Sequence, residues 1–399
     1  MSAIEQSFQV PFQFPILFTR DVFAPENRTL VVALTRVEAE KRHKVFFVID
    51  ENVAKATPGL ERRIRDYCER WRLSIELLGE PVRVQGGEAA KNDIAPVLSL
   101  VEQVHTLGID RQSFVAIIGG GAVLDMACFA AAISHRGIRV VRIPTTVLSQ
   151  NDSGVGVKNG INLFGKKNFI GTFAPPFAVV NDSLFLDTLE PRDKIAGIAE
   201  AVKVSLIKDR EFFEYLERNA EALHLADPEV MSHQIRRSAE LHSRHIGTNG
   251  DPFEMGSARP LDYGHWAAHK LESLTRNRLR HGEAVAIGLA MDTLYSVYAG
   301  FLPEAKGERI LRTLETIGLP IWDEAVQARV QNGPLALLAG LREFQEHLGG
   351  ELHVTVLRDI GAGFEVNEID DRLVLRAIET LEARANRTRA AMPRRASGC

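Results

Sequence analysis

The apolar positions change rhythm about halfway along the chain. In the first half, short solid runs alternate with amphipathic stretches. Residues 44–50, 114–118 and 138–143 are runs rich in Val, Ile and Phe, the pattern of strands buried in a parallel sheet, and 73–78 reads as a further strand. Between them, 60–71, 92–107 and 122–134 space their apolar residues as helices do. Beyond about Pro191 the rhythm is helical, with runs over 193–223, 228–246, 264–300 and 305–317 and one strand-like piece at 352–357. An α/β half followed by an α half, with the boundary near 190, is the organisation this predicts. Residues 1–30, mixed and rich in Phe and Pro, read as an edge strand or an arm. The basic stretch 384–399 reads as a disordered tail. No internal repeat is visible.

Composition narrows the class. A chain of 399 residues can bury two substantial cores, and its 45% hydrophobic and 25% charged content is ordinary for a globular enzyme. A formal net charge of −4 argues for neither nucleic acid nor a membrane surface as partner. Cys68, Cys128 and Cys399 are too far apart for a thiolate metal site and make no disulfide framework. No apolar run reaches membrane-spanning length and the N-terminus lacks a secretion-signal pattern, so a cytoplasmic protein is expected.

Three stretches carry candidate chemistry. The run 114–118 meets Gly119-Gly120-Gly121 and then a small-residue helix. Strand, glycine turn and helix let backbone N–H groups meet a pyrophosphate. Gly-x-Gly-x-x-Gly is absent, and a tight turn without a ligand is the competing reading. Asp125, one turn into that helix, is unexpected beside a phosphate. Asp50, closing the run 44–50, either binds ribose hydroxyls or caps a helix. The segment 150–171 contains Asp152, Lys158, Asn162, Lys166, Lys167 and Asn168, and suits either an anionic, hydroxylated ligand or plain solvent.

The third stretch, 244–283, gathers Asp251, Glu254, Asp262, His265, His269, His281 and Glu283. A helix starting near Gly264 puts His265 and His269 one turn apart on one face, where two imidazoles can share a divalent metal. His281 opens what looks like a new helix and can bring a third ligand. Glu200, inside an apolar helical pattern, is the best carboxylate partner, since alone it would be costly to bury. Separate polar residues on solvated helix faces remain the alternative.

Taken together the chain resembles the dehydroquinate synthase family, the sugar phosphate cyclases. The matching pieces include Gly119-Gly120-Gly121 with Asp125, His135-Arg136-Gly137, Pro144-Thr145-Thr146 and 152–158. They continue with 165–171, 188–192, 197–203, Gly264-His265 with His269, and His281-Gly282-Glu283, in the family's order. The resemblance implies an N-terminal Rossmann-like α/β domain over 1–190, a helical domain over 191–383 and an active site in the cleft between them. It implies a metal, Zn²⁺ or Co²⁺, on Glu200, His265 and His281, with His269 a substrate contact. NAD⁺ would be held by Asp50, Asn52, Glu88, Lys91, Gly120, Gly121, Asp125, Thr145, Thr146 and Thr188. Asp152, Lys158, Asn168 and Lys203 match substrate positions, and Arg136 matches one that reaches phosphate across a homodimer interface. The implied reaction oxidises a ring hydroxyl with NAD⁺, eliminates phosphate, returns the hydride and closes a carbocycle by an aldol step.

The departures bear on the substrate. Arg244, Ala258 and Asp262 stand where dehydroquinate synthases show Lys, Arg and Asn, and Phe344-Gln345-Glu346 replaces an Asp-Lys-Lys piece. Arg259 is a possible substitute for the lost arginine. Fewer cations point to an uncharged polyol end, as in sedoheptulose 7-phosphate taken by valiolone-type cyclases. A 3-dehydroquinate synthase is the first alternative, a metal-dependent polyol or alcohol dehydrogenase the second, and a non-catalytic relative the third.

Overall fold

In a computed structural model the runs 44–50, 114–118 and 138–143 become the middle of one parallel sheet and 73–78 supplies an edge strand. Residues 3–164, 166–248, 251–253, 261–330, 333, 335–347 and 352–391 are described. The chain divides into two units, one running to Thr145 and resuming over Ser153–Thr188, the other comprising Thr146–Asp152 and everything from Leu189.

The first unit holds strands β1 (Ile16–Thr19), β2 (His43–Asp50), β3 (Ile75–Leu77), β4 (Val82–Val84), β5 (Phe114–Gly119), β6 (Arg139–Pro144), β7 (Lys158–Leu163), β8 (Lys166–Phe173) and β9 (Ala178–Asp182). Its helices are α1 (Thr29–Thr35), α2 (Glu51–Ala56), α3 (Leu60–Arg70), α4 (Ala95–Thr106) and α5 (Gly121–Ile133). The sheet order is β1-β9-β6-β5-β2-β3, with β4 also on β2, and every pairing in it is parallel. Both faces of the central strands are covered, which is why those runs are solidly apolar rather than alternating. Val45, Phe47, Ile49, Ala116, Ile118, Val141 and Ile143 fill one face. Phe46, Val48, Val115, Ile117 and Val140 fill the other, against α5. Part of the N-terminal segment is an edge strand, β1, paired with β9.

The polar segment expected as an open ligand loop is mostly an antiparallel hairpin, β7 with β8. Its first strand shows no alternation because four successive positions, Asn159, Gly160, Ile161 and Asn162, are all buried. Thr172 Oγ1 donates to Asn159 Oδ1 at 2.6 Å, and Asn162 Nδ2 to Asn92 Oδ1 at 2.8 Å.

The second unit contains α6 (Pro191–Ala196), α7 (Ile198–Lys208), α8 (Arg210–Arg218), α9 (Ala220–His224), α10 (Pro228–Thr248), α11 (His265–Leu274), α12 (His281–Tyr298), α13 (Glu304–Ile317), α14 (Ala339–His347) and α15 (Asp371–Ala391). It also holds a hairpin, β10 (Val354–Asp359) with β11 (Ala362–Val366), of which the sequence marked only the first strand. α12 is buried along nearly its whole length and packs against α7, α11, α13 and α15. α15 runs as far as Ala391, and Arg384 ties it to Glu308 (2.6 Å) and Glu315 (2.7 Å) of α13. Residues 392–399 lie outside the described residues. Among the described residues no helix is long and apolar enough to cross a membrane.

Candidate active site

The helical unit brings together three residues from three helices. α7 carries Glu200 and Lys203 one turn apart, both buried, with Lys203 Nζ 2.5 Å from Glu200 Oε2. Gly264, at φ 78°, turns the chain so that His265 opens α11, and His281 opens α12. His265 Nε2 lies 3.5 Å and His281 Nε2 3.3 Å from the same Glu200 Oε1. One ligand atom from each of the three falls within 4.8 Å of the others.

The far nitrogens are both anchored. His265 Nδ1 faces Tyr263 O at 3.1 Å, and His281 Nδ1 faces Glu272 Oε2 at 3.2 Å. With those nitrogens donating, both Nε2 lone pairs aim at a carboxylate oxygen, an arrangement that repels unless a proton or cation lies between. Ligands about 2.0–2.1 Å from a tetrahedral Zn²⁺ stand about 3.3 Å apart, so these separations fit that ion. Three protein ligands leave a fourth position open, as catalytic zinc sites do. The His269 ring lies beside the trio, 5.5 Å from the His265 ring and 6.4 Å from that of His281.

A second charged chain backs the trio. Asp152 Oδ1 is 2.8 Å from His242 Nδ1, and the buried Lys203 interacts with both Asp152 and Glu200. Burial works against ionising each group, but the partners win. Lys203 and His265 hold the Glu200 carboxyl well below its usual range. Lys203 and His242 lower that of Asp152. Glu200 and Asp152 raise the ammonium of Lys203. For His281, burial is overcome by Glu272 and Glu200, which raise it to about 10, so a metal ion would have to displace that proton. Asp262, half-buried, is close enough to Lys203 to raise it further.

The α/β unit gathers the candidate nucleotide residues. Asp50 closes β2 and caps α2, its Oδ1 accepting from Asn52 N at 2.8 Å. Burial raises this carboxyl against hydrogen bonds from the Asn52, Val53 and Gly120 N–H groups. A Cβ at Gly86 would stand 2.1 Å from Asp50 Oδ1, so the backbone passes there only as glycine. Gly120 is the N-cap of α5, whose first turn has no acidic residue and no side-chain cap, leaving its leading N–H groups available to an anion. Asp125 is accounted for by Lys91, whose Nζ donates to Asp125 Oδ2 (2.7 Å) and Asn168 Oδ1 (2.6 Å). Glu88 lies 3.6 Å from Lys167 Nζ.

Thr145 is buried, and its Oγ1 has no hydrogen-bond partner among the described residues. Thr188 Oγ1 donates to Phe185 O. Thr146, bonded to Ser149, belongs to the other unit. Lys158 opens β7 with an exposed side chain. Arg136 is exposed at φ 63° in the turn before β6. Arg244 is exposed on α10. Ala258 and Arg259 lie outside the described residues, as does the side chain of Glu346. Phe344 is buried and Gln345 exposed on α14.

His242, Glu272, Asp292 and the Tyr263 carbonyl were missed in the sequence. Glu272 carried a signal, two helical turns after His265 on the same face. The partnerships of His242 with Asp152, and of Asp292 with Trp266 Nε1 (2.9 Å) and Gly264 N (2.8 Å), are long-range and left no local spacing to read.

A parallel sheet with a glycine turn opening a helix, followed by a helical unit with a convergent Glu–His–His trio, defines a class of nucleotide- and metal-type enzyme folds. The comparisons with known proteins narrow it. The 3-dehydroquinate synthase N-terminal family model matches residues 81–196, and the 3-dehydroquinate synthase C-terminal model matches 197–333. The chain is 41% identical over 259 residues to a 3-dehydroquinate synthase of Geobacter sp. (strain M21), covering 64% of this chain and 71% of the relative. The 2-epi-5-epi-valiolone synthase of Streptomyces hygroscopicus subsp. jinggangensis 5008, solved with NAD⁺ and Zn²⁺ bound, superposes with a TM-score of 0.84. It is 27% identical and covers 96% of this chain and 100% of its own. A 2-deoxy-scyllo-inosose synthase complexed with carbaglucose-6-phosphate, NAD⁺ and Co²⁺ shares the fold at TM-score 0.70 and 22% identity, covering 91% of this chain and 96% of its own. The chain belongs to the 3-dehydroquinate synthase family and is a sugar phosphate cyclase of that family.

Proposed function

We propose that the protein is an NAD- and zinc-dependent cyclase that eliminates phosphate from a ketose phosphate and closes a carbocycle, with sedoheptulose 7-phosphate as substrate. The carrying observation is the trio itself: Glu200, His265 and His281 converge, and both imidazoles are tied by their far nitrogens. A Zn²⁺ or Co²⁺ ion held by Glu200, His265 and His281 would polarise the ring hydroxyl to be oxidised, and NAD⁺ held on the α/β unit would supply reversible hydride transfer. The remaining work belongs to side chains. Lys203, kept cationic by Glu200 and Asp152, faces negative charge as it develops. His242 and Asp152, 2.8 Å apart, can share a proton taken from a substrate hydroxyl. His269 and Asp262 offer acceptors to hydroxyls, and Lys158, Asn168, Arg244 and Arg136 offer donors to phosphate. Arg136, exposed in its own protomer, would act on a second copy, so a homodimer is part of this reading.

Substrate choice rests on charge. A carboxylate held without a cation is disfavoured by several kcal/mol, and Asp262 would repel one. Where the family carries its Asp-Lys-Lys piece, Phe344 is turned into the core. Dehydroquinate formation is the second reading, favoured by the name of the 41% identical relative. Side-by-side kinetics on the two sugar phosphates test the choice. Faster phosphate release from sedoheptulose 7-phosphate is expected; efficient dehydroquinate formation would replace the first reading by the second.

A further inference from the structure

One buried charge takes no part in the chemistry above. Arg142 lies in the middle of β6, 1% exposed, on the same face as Val140. Among the described residues no carboxylate pairs with it. Its Nε donates to Cys128 Sγ at 3.3 Å. Its Nη1 donates to Gly154 O (3.2 Å) and Gly156 O (2.7 Å), and its Nη2 to Lys158 O (3.4 Å).

A guanidinium without a counter-ion is costly to bury, and it persists only where its fork of donors is used. Here the fork meets alternate carbonyls of one segment, 154–158, whose Val155 and Val157 side chains are buried. At one end of this segment, Ser153 Oγ would be 2.6 Å from a Cβ on Gly121, so the segment starts hard against the glycine turn. At the other end stands Lys158. Glycines at 154 and 156 leave the backbone free to wander, and no side chain of their own can hold it. We propose that Arg142 is a positioning residue that fixes segment 154–158 through its carbonyls, and so sets Lys158 for the sugar phosphate. A lysine, with one compact ammonium on a flexible stem, cannot span the three carbonyls as the planar fork does.

This inference rests on the role given to Lys158 above, and its test separates the two. Arg142→Lys and Arg142→Met would be compared with the parent by backbone amide exchange, by KM for the sugar phosphate and by zinc content. The expected result is faster exchange confined to residues 153–158, with KM raised about tenfold in Arg142→Met and less in Arg142→Lys. Zinc per chain should be unchanged, since the trio lies on other elements. If Arg142→Met fails to fold, Arg142→Lys carries the test. Unchanged exchange and KM would overturn the proposal, and so would faster exchange spread through β2 and β5, the mark of a purely structural role. If the parent releases no phosphate from either sugar phosphate, the functional reading fails and the exchange comparison still decides Arg142.

Discussion

At the scale of single residues, the account depends on how charges are compensated out of water. Glu272 accepts from His281 Nδ1 at 3.2 Å and thereby fixes which nitrogen is left for a metal. Glu272→Gln keeps the shape but removes the charge, and should weaken zinc binding about 10–100-fold in a chelator competition. Unaltered affinity would remove Glu272 from the account. Lys203 is flanked by the buried Glu200 and the half-buried Asp152. Lys203→Met should destabilise the metal-free protein by about 3–5 kcal/mol in denaturant titration, because it strands buried negative charge. A loss below about 1 kcal/mol would mean that solvent reaches those carboxylates freely. The histidines and Glu200 were legible because polar residues recur inside apolar helical patterns. Their partners His242 and Asp292 were not, since nothing local links residue 152 to 242 or 264 to 292.

At the scale of elements, α11 and α12 must approach closely to bring His265 and His281 to one carboxylate. A Cβ on Gly288 would lie 2.0 Å from Gly264 O, so the helices touch backbone to backbone there. Gly288→Ala should cost about 1–3 kcal/mol and lower zinc occupancy with it, read by thermal melting and metal analysis. The same junction contains a pH-sensitive group. Burial raises the carboxyl of Asp292 from 3.8 to about 7, against hydrogen bonds from Trp266 and Gly264. The folded state therefore binds this proton more readily than the unfolded chain. The stability it contributes is full below about pH 4 and is lost as pH rises through 7. Relative to Asp292→Asn, the parent should lose stability between pH 5 and pH 8. A difference that does not change with pH would contradict this. The strands β2, β5 and β6 were legible as solid apolar runs and most helices by their period, whereas β4 and β9 were not marked. The β7–β8 hairpin was obscured because β7 is buried at four successive positions and so does not alternate, and α15 was overlooked because its Arg384 anchor looks like a solvated charge.

At the scale of the whole molecule, two units each carry one half of the required chemistry. The α/β unit presents an open helix N-terminus beside Asp50, and the helical unit presents the Glu–His–His trio. Neither half alone distinguishes a cyclase from a dehydrogenase, because both need NAD⁺ and a metal. The division lies in what happens to the hydride. A dehydrogenase leaves one NADH for each substrate turned over, whereas a cyclase returns the hydride before product leaves. The direct measurement is therefore phosphate release and absorbance at the NADH wavelength, followed together on zinc-loaded protein with sedoheptulose 7-phosphate. Many phosphates released per chain with no net NADH are expected. NADH accumulating in step with substrate consumed, without phosphate release, would contradict the cyclase reading.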